Sequence, residues 1–477
     1  ENPACVAIVE RGLGLADTTG VHVWDTLLCG HGAFATLTSG QIEPAQVYVH
    51  RMATLQDPAR ALDSATYYYL SGYLHYSQGN RARALEHVKT AVDMAEAGGA
   101  IYQTGILRND YGRMLYYAGD ECGASAAIEQ ALATSREMRS PSMEYLCYLA
   151  QAEIAMRRGE EETCRVALTY CLQIGRQQGY RNHTWWDADL MAQLYAKALE
   201  HEIEVSYVQE QIRCRELVPP VAAESLETWP WKLRIHTFGR FALVRDGKPV
   251  KFEGRTQKRA LDLLKALVAY GGREVSEQKL CDALWPGTEA DDARVSLKIT
   301  LHRLRGLIGH EAITLRESKL TLDTRICWVD IWGFERAVNR LTATGNALST
   351  DGYARLGDRM LSLYRGSFLG DDEQTFALST RERLRGKWMQ AIAALAGRFQ
   401  HDGAHDRAIA WYERGIEIEP LAESFYRSLM HAYQTLHRPA EGLGVYQRCK
   451  KILLAQLQVS PSPETEKLAQ DLRTLGS

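Results

Sequence analysis

The chain has 477 residues, 45% hydrophobic and 24% charged, the balance of a soluble globular protein and not of a disordered one. At ~150 residues per domain this length predicts about three domains, and no apolar run nears the roughly 18–20 residues that cross a bilayer. The net charge of −3 conceals an asymmetry: residues 1–225 hold 18 Lys/Arg against 28 Asp/Glu, whereas residues 232–331 hold 19 against 13. A basic segment inside an acidic chain points toward nucleic acid.

The start, Glu1-Asn2-Pro3-Ala4-Cys5, has neither a basic region nor an apolar core of the kind that directs secretion. It also lacks a methionine, so the chain is expected to be a piece of a longer polypeptide. Its ten cysteines are scattered without any C-x-x-C pair, and Cys164 and Cys171 share a helical pattern that no second pair answers. Free thiols in a reducing cytoplasm are expected, not a disulfide or zinc framework.

The first half carries an internal period. Gly79, Gly119 and Gly159 lie 40 residues apart, each followed five residues later by a small residue, Ala84, Ala124 or Cys164. Gly40 and Ala45 extend the series upstream. Amphipathic helices such as Tyr67 to Ser77 and Tyr145 to Arg158 precede the glycines, and second helices such as Ala82 to Ala95 follow them. A glycine supplies the left-handed turn of a helical hairpin, the small residue permits close approach, and hairpins stack because none buries its apolar face alone. The length resembles tetratricopeptide pairs. Residues 1–218 are read as this array, which ends near Val218-Pro219-Pro220, and residues 219–231 as a linker.

Beyond it the pattern changes. Leu233, Ile235 and Thr237 alternate with polar neighbours, as do Phe241 and Leu243, and Asp246-Gly247 signals a hairpin turn. A helix is predicted from about Gln257 to Tyr270, stopped by Gly271-Gly272. A second begins after the N-cap Ser276 and ends at Trp285-Pro286-Gly287, and a third runs from Ala290 to Ile308. Two β-prone segments, Ile313-Thr314-Leu315 and Leu320-Thr321-Leu322, flank a tip from Arg316 to Lys319. Strands, three helices and a hairpin make a winged helix-turn-helix over residues 232–331. From residue 332 to 477 the chain returns to helices, and Gly403 with Ala408, then His437 with Gly442, predict at least two further hairpins. The expected fold is mainly α: a repeat array, a winged helix, and a second helical-repeat domain.

On the third helix Leu297, Leu301, Leu304 and Ile308 form one apolar stripe. Ser296, Ile299 and Arg303 project opposite, Lys298 and His302 flank them, and Arg294 and Arg305 lie nearer the stripe. Arg and Lys address guanine edges or phosphates, and Ser and His bond to either, so this face suits a major groove. Asp291 and Asp292 open the helix and would repel phosphates while complementing its dipole. Arg316 and Lys319 on the hairpin tip are the second candidate contact. Arg255, Lys258 and Trp285 are candidate backbone anchors.

These residues resemble a known family. The run Leu233 to Gly239, the hairpin at 246–250, Arg255 to Leu261, Leu280 to Pro286 and Leu301 to Arg305 look like an OmpR-type winged helix. They look specifically like the version in the Streptomyces antibiotic regulatory protein family. The segments Ala408 to Arg414 and Leu457 to Thr465 are similar to the bacterial transcriptional activation domain that follows it there. The resemblance implies an activator that binds double-stranded promoter DNA and recruits RNA polymerase. It places groove-facing positions at Ser296, Lys298, Thr300, His302, Arg303 and Arg305. The family wing usually carries a glycine-tyrosine tip, which Arg316-Glu317-Ser318-Lys319 replaces. The array is similar to the repeat sensor of large LuxR-type ATP-dependent activators, yet no G-x-x-x-x-G-K-[ST] loop occurs in this chain.

Other motifs lead elsewhere. His401 and His405 have helical metal spacing, but Gly403 intervenes, so solvated turn histidines are expected. Asp371-Asp372-Glu373 lacks alternating ligand spacing and reads as a solvated loop. No nucleophile elbow or dinucleotide fingerprint is present, and neither catalysis nor a cofactor is predicted. The aromatic cluster Tyr67, Tyr68, Tyr69, Tyr73, Tyr76, Tyr102, Tyr111, Tyr116 and Tyr117, with Trp185-Trp186, is read as inter-helix packing or as the lining of a groove for an effector or peptide. A rival reading of the whole is a repeat scaffold whose winged helix docks protein instead of DNA.

Overall fold

Gly40, Gly79, Gly119 and Gly159 all take left-handed φ, between 71 and 88°. The residue five positions after each, Ala45, Ala84, Ala124 or Cys164, is at most 2% exposed. The repeat read from the sequence is thus built as a series of helical hairpins. In the computed structural model, which describes residues 2–57, 59–252, 255–343, 350–370 and 372–475 and only the backbone of 225, 255 and 256, two units separate by contact: Glu1–Trp229 and Pro230–Ser477.

The first unit contains α1 (Asn2–Thr19), α2 (Asp25–Leu37), α3 (Ile42–Thr54), α4 (Ala61–Ser77), α5 (Arg81–Ala97), α6 (Ile101–Tyr117), α7 (Glu121–Glu137), α8 (Pro141–Arg158), α9 (Glu161–Gln178), α10 (Ala188–Glu200) and α11 (Val205–Cys214). The hairpins α2–α3, α4–α5, α6–α7 and α8–α9 pack tightly within themselves and against the next. A second periodic position, which sequence reading missed, lets them do so. At Gly32, Gly72 and Gly112, again 40 apart, a Cβ would stand 2.9, 2.8 and 2.7 Å from Tyr48, Val88 and Ile128 of the partner helix. Cys164 and Cys171 are buried along α9. After α11 the chain forms a 3-10 turn, Val221–Ser225, beside α10, and Gln209 Nε2 donates to the Thr228 carbonyl at 2.7 Å. The proline-flanked stretch is therefore held against the array for most of its length.

The second unit opens with β1 (Leu233–His236), β2 (Ala242–Arg245) and β3 (Lys248–Pro249), then α12 (Arg255–Ala269), β4 (Val275–Ser276), α13 (Glu277–Leu284), α14 (Ala290–Ile308), β5 (Ile313–Arg316), β6 (Lys319–Leu322) and β7 (Cys327–Val329). The expected strands, helices and terminal hairpin are all present. Two short strands were not foreseen. β4 pairs antiparallel with β6, making the hairpin three-stranded in the order β4-β6-β5, and β7 pairs parallel with β1 to close the sheet β3-β2-β1-β7. Ser276 caps α13 as expected, accepting from Lys279 N.

Directly after β7 come α15 (Asp330–Thr342), α16 (Thr350–Leu363), α17 (Thr375–His401), α18 (His405–Ile418), α19 (Glu423–Thr435), α20 (Pro439–Leu457) and α21 (Pro463–Leu475). The buried Asp330 carboxylate ties α15 to the sheet, accepting from Thr237 Oγ1 at 2.6 Å and Phe238 N at 2.9 Å. α17–α18 and α19–α20 are the two expected hairpins. Gly403 and His437 sit in left-handed turns, Ala408 is buried, and a Cβ on Gly442 would meet Leu472 at 2.9 Å. The Ser460 to Thr465 segment docks α21 on α19, because Ser462 N and Oγ each donate to Glu423 Oε1 at 2.7 Å. The fold is mainly α. Among the described residues no helix is long and apolar enough to cross a membrane.

Candidate nucleic-acid interface

α14 presents two chemically distinct faces. Leu297, Leu301, Leu304 and Ile308 are at most 4% exposed, as the helical spacing requires, and they press the helix onto α12 and α13. Arg294, Lys298, His302 and Arg303 are exposed, and among the described residues neither arginine nor Lys298 has an ion-pair partner. Val295 and Ile299, 57% and 49% exposed, stand between them. The outward face is thus cationic with two apolar side chains, able to meet phosphates, base edges and thymine methyls. The His302 ring lies edge-on to His310 with centroids 6.2 Å apart. Ser296 is half-buried at the rim of this face.

Two expected groove residues are withdrawn from it. Thr300 is 5% exposed, and its hydroxyl donates to the Ser296 carbonyl at 2.7 Å. It stands three residues after Leu297 and four before Leu304, which places it on the buried stripe. Arg305 is half-buried and turns toward the wing, where its Nη2 donates to the Ile313 carbonyl at 3.1 Å. Its guanidinium is a strut between helix and hairpin.

The wing also differs from expectation. Arg316 and Lys319 are not tip residues but a cross-strand pair, the last of β5 and the first of β6. The turn itself is Glu317-Ser318, with φ of 48° and 56°, the left-handed pair that matches the twist of a tight hairpin. Lys319 Nζ lies 3.8 Å from the Glu274 carboxylate, whereas Arg316 is exposed and, among the described residues, without an ion-pair partner. Arg316 is therefore the freer wing cation. Of the backbone anchors, Lys258 is exposed, Trp285 is half-buried, and the Arg255 side chain lies outside the described residues. Sequence reading missed Arg259, whose Nη1 donates to the Leu284 carbonyl at 3.3 Å and braces α12 against the turn before α14.

Among the described residues the remaining motifs do not assemble a chemical site. His401 closes α17 and His405 opens α18 across Gly403, and Asp371 lies outside the described residues. Asp17, His22 and Asp25 cluster, but Arg51 Nη2 answers the two carboxylates at 3.0 and 2.7 Å. Tyr69 and Tyr73 are buried together with Trp185, and Tyr67, Tyr68, Tyr76, Tyr111 and Tyr117 pack around the same core.

One comparison falls within the second unit. The family model of the bacterial transcriptional activator domain matches residues 329–473. Regulatory protein AfsR of Streptomyces griseus is 25% identical over 256 residues, 53% of this chain and 26% of AfsR. AfsR of Streptomyces coelicolor is 28% identical over 252 residues, 50% of this chain and 24% of that protein. The chain thus spans about a quarter of the length of these curated relatives. Among solved structures, Mycobacterium tuberculosis EmbR in complex with a low-affinity phosphopeptide aligns at 23% identity and a TM-score of 0.39, covering 51% of this chain and 65% of EmbR. The likeness to the Streptomyces antibiotic regulatory proteins read from the sequence is met through the activator domain and the two AfsR proteins.

Proposed function

We propose that this chain, with its activator domain and its similarity to the AfsR regulators, is a cytoplasmic transcription activator that binds promoter DNA through residues 232–331. α14 enters the major groove with Arg294, Lys298, His302 and Arg303 outward, while Arg316 on the wing reaches the neighbouring backbone. Residues 332–477 recruit RNA polymerase, and the array of residues 1–218 receives the controlling signal, with 219–231 joining them. The observation that supports this reading most is the row of cations on α14, Arg294, Lys298 and Arg303, which are exposed and among the described residues make no ion pair.

The test is a gel-shift titration of the full chain on promoter fragments recovered by genome-wide mapping of its bound DNA. Affinity is expected to fall steeply with salt, with a slope of about −0.9 per phosphate neutralised, because each contact releases condensed counterions. The exposed Val295 and Ile299 favour one rival, a winged helix that docks protein. Retention on duplex DNA only at very low salt would select that rival.

A further inference from the structure

The eight residues from Tyr180 to Asp187 connect α9 to α10, and they lie across the face shared by the first helices of the array. Trp185 is fully buried, stacked on the Tyr73 ring at 5.4 Å and 12°, with Tyr76 and Tyr69 at 5.3 and 6.0 Å. Tyr73 Oη donates to the Trp186 carbonyl at 3.2 Å and Tyr76 Oη to the Asp187 carboxylate at 3.1 Å. Thr184 Oγ1 donates to Asp110 of α6 at 3.4 Å, and Asn182 Nδ2 to Thr38 Oγ1 beyond the end of α2 at 3.4 Å. His183 sits against Tyr145 of α8. One short segment, turned at Thr184-Trp185 where Trp185 has a φ of 56°, therefore engages α4, α6, α8 and the end of α2, and its hydrogen-bond partners on α4, on α6 and beyond α2 lie 74 to 144 residues away. Such contacts, main-chain carbonyl and side chains alike read by successive repeats, are those of a bound peptide.

The fit is incomplete in one respect. Trp185 Nε1 and His183 Nε2 are buried with no hydrogen-bond partner among the described residues. A linker serving only to join two helices has no need to bury two unpaired polar atoms, which are costly away from water. Over the segment lies Arg215, whose guanidinium covers the Trp186 ring at 4.2 Å and donates to the Arg181 carbonyl at 2.9 Å.

We infer that the array is a peptide-binding groove occupied in cis by its own Asn182–Asp187 segment, and that its partner in trans is a peptide with two adjacent aromatic side chains followed by a carboxylate. The stacked tyrosines take the first aromatic, Arg215 covers the second, and the Tyr76 hydroxyl takes the carboxylate. Tethered at both ends, the cis segment competes at an effective concentration on the order of millimolar, so an external peptide enters only as the cis contacts loosen. The inference concerns the array alone and is read by peptide binding, so it stands apart from DNA binding by the winged helix.

The test uses the full chain and a labelled peptide of the sequence Tyr-Arg-Asn-His-Thr-Trp-Trp-Asp, followed by fluorescence anisotropy. Trp186→Ala loosens the cis segment by removing the ring under Arg215 while leaving Tyr69, Tyr73, Tyr76 and Arg215 of the groove in place, and is expected to tighten trans binding about tenfold over the unsubstituted chain as the open fraction rises. Peptides carrying Trp185→Ala or Asp187→Asn are expected to bind that variant at least about tenfold and about threefold more weakly, from lost stacking and a lost charged hydrogen bond. These peptide changes leave the protein's folding untouched. Should Trp186→Ala unfold the array, the same comparison is made with Asp187→Asn in the chain, which weakens the Tyr76 contact while its side-chain oxygen still accepts from Leu190 N at the start of α10. A folded variant that binds no peptide, or that binds all three peptides alike, would overturn the inference.

Discussion

Arg305 of α14 donates through Nη2 to the carbonyl of Ile313, the first residue of the wing, at 3.1 Å. A cation that the family pattern assigns to DNA is thereby spent on fixing the angle between the reading helix and the hairpin. Its Nε is buried without a partner among the described residues, so the guanidinium is held by the fold and not by solvent.

Arg305→Ala is accordingly expected to cost about 1–3 kcal/mol of stability in the second unit, since it orphans a half-buried carbonyl and empties a packed site. Calorimetry or denaturant titration measures the loss. The salt slope of DNA binding is expected to stay unchanged. A variant that melts normally but loses about one unit of slope would return Arg305 to the groove surface.

The exposed cations predict a different pattern. Arg303→Ala is expected to weaken specific DNA binding by about 1–3 kcal/mol and to relax preference at one base position, as loss of a base-edge contact does. Lys298→Ala is expected to weaken binding similarly on all sequences and to lower the salt slope by about 1. Neither side chain makes an ion pair among the described residues, so neither change should shift melting. Unchanged affinity in gel-shift titration would remove that residue from the interface.

How far these features were legible depends on what writes itself into sequence. The hairpin turns were legible because a left-handed φ demands glycine or its tolerant substitutes, and Gly40, Gly79, Gly119 and Gly159 repeat that demand. The buried stripe of α14 was legible for the same kind of reason, and the helical spacing alone would also have withdrawn Thr300. The family correspondence placed it in the groove against that spacing. β4 and β7 were not legible: two and three residues are too short for alternation, and their pairing depends on β6 and β1 far along the chain. The Tyr180 to Asp187 segment left no periodic trace at all. Its conformation is set by Tyr73, Tyr76 and Asp110, more than 70 residues away.

Gly112 and Gly386 make opposite predictions for the same substitution. At Gly112 a methyl would stand 2.7 Å from Ile128 Cγ1 and 3.0 Å from the Ala124 carbonyl oxygen, the backbone of the facing helix. Gly112→Ala must push α6 from α7, and a loss of about 1–3 kcal/mol in the array is expected. At Gly386, exposed in the middle of α17, a Cβ meets nothing within 4 Å. Gly386→Ala is expected to stabilise by about 0.5–1 kcal/mol through the smaller entropy its unfolded chain loses. Because the two lie in different units, calorimetry of the full chain should resolve the shifts as separate transitions. Movement of both in one direction would contradict the close helix approach at Gly112.

The array should also carry an acid-sensitive element at the start of α9. His201, whose Nε2 lies 3.8 Å from the carboxylate, and then Lys197, which donates to it, hold the Glu161 carboxyl down at about 2, against an ordinary value of 4.5. A carboxylate depressed in the folded state binds fewer protons there than in the unfolded chain, so stability falls as pH falls. The contribution is whole above about 4.5 and disappears between there and about 2. Glu161 is 54% exposed and solvent screens the pair, so the effect is small in magnitude but definite in sign. Glu161→Gln should flatten the pH dependence of array melting across that window while leaving it unchanged above pH 5. Parallel melting curves for the two proteins from about pH 5 down to pH 2 would show that Glu161 gains nothing from His201 and Lys197.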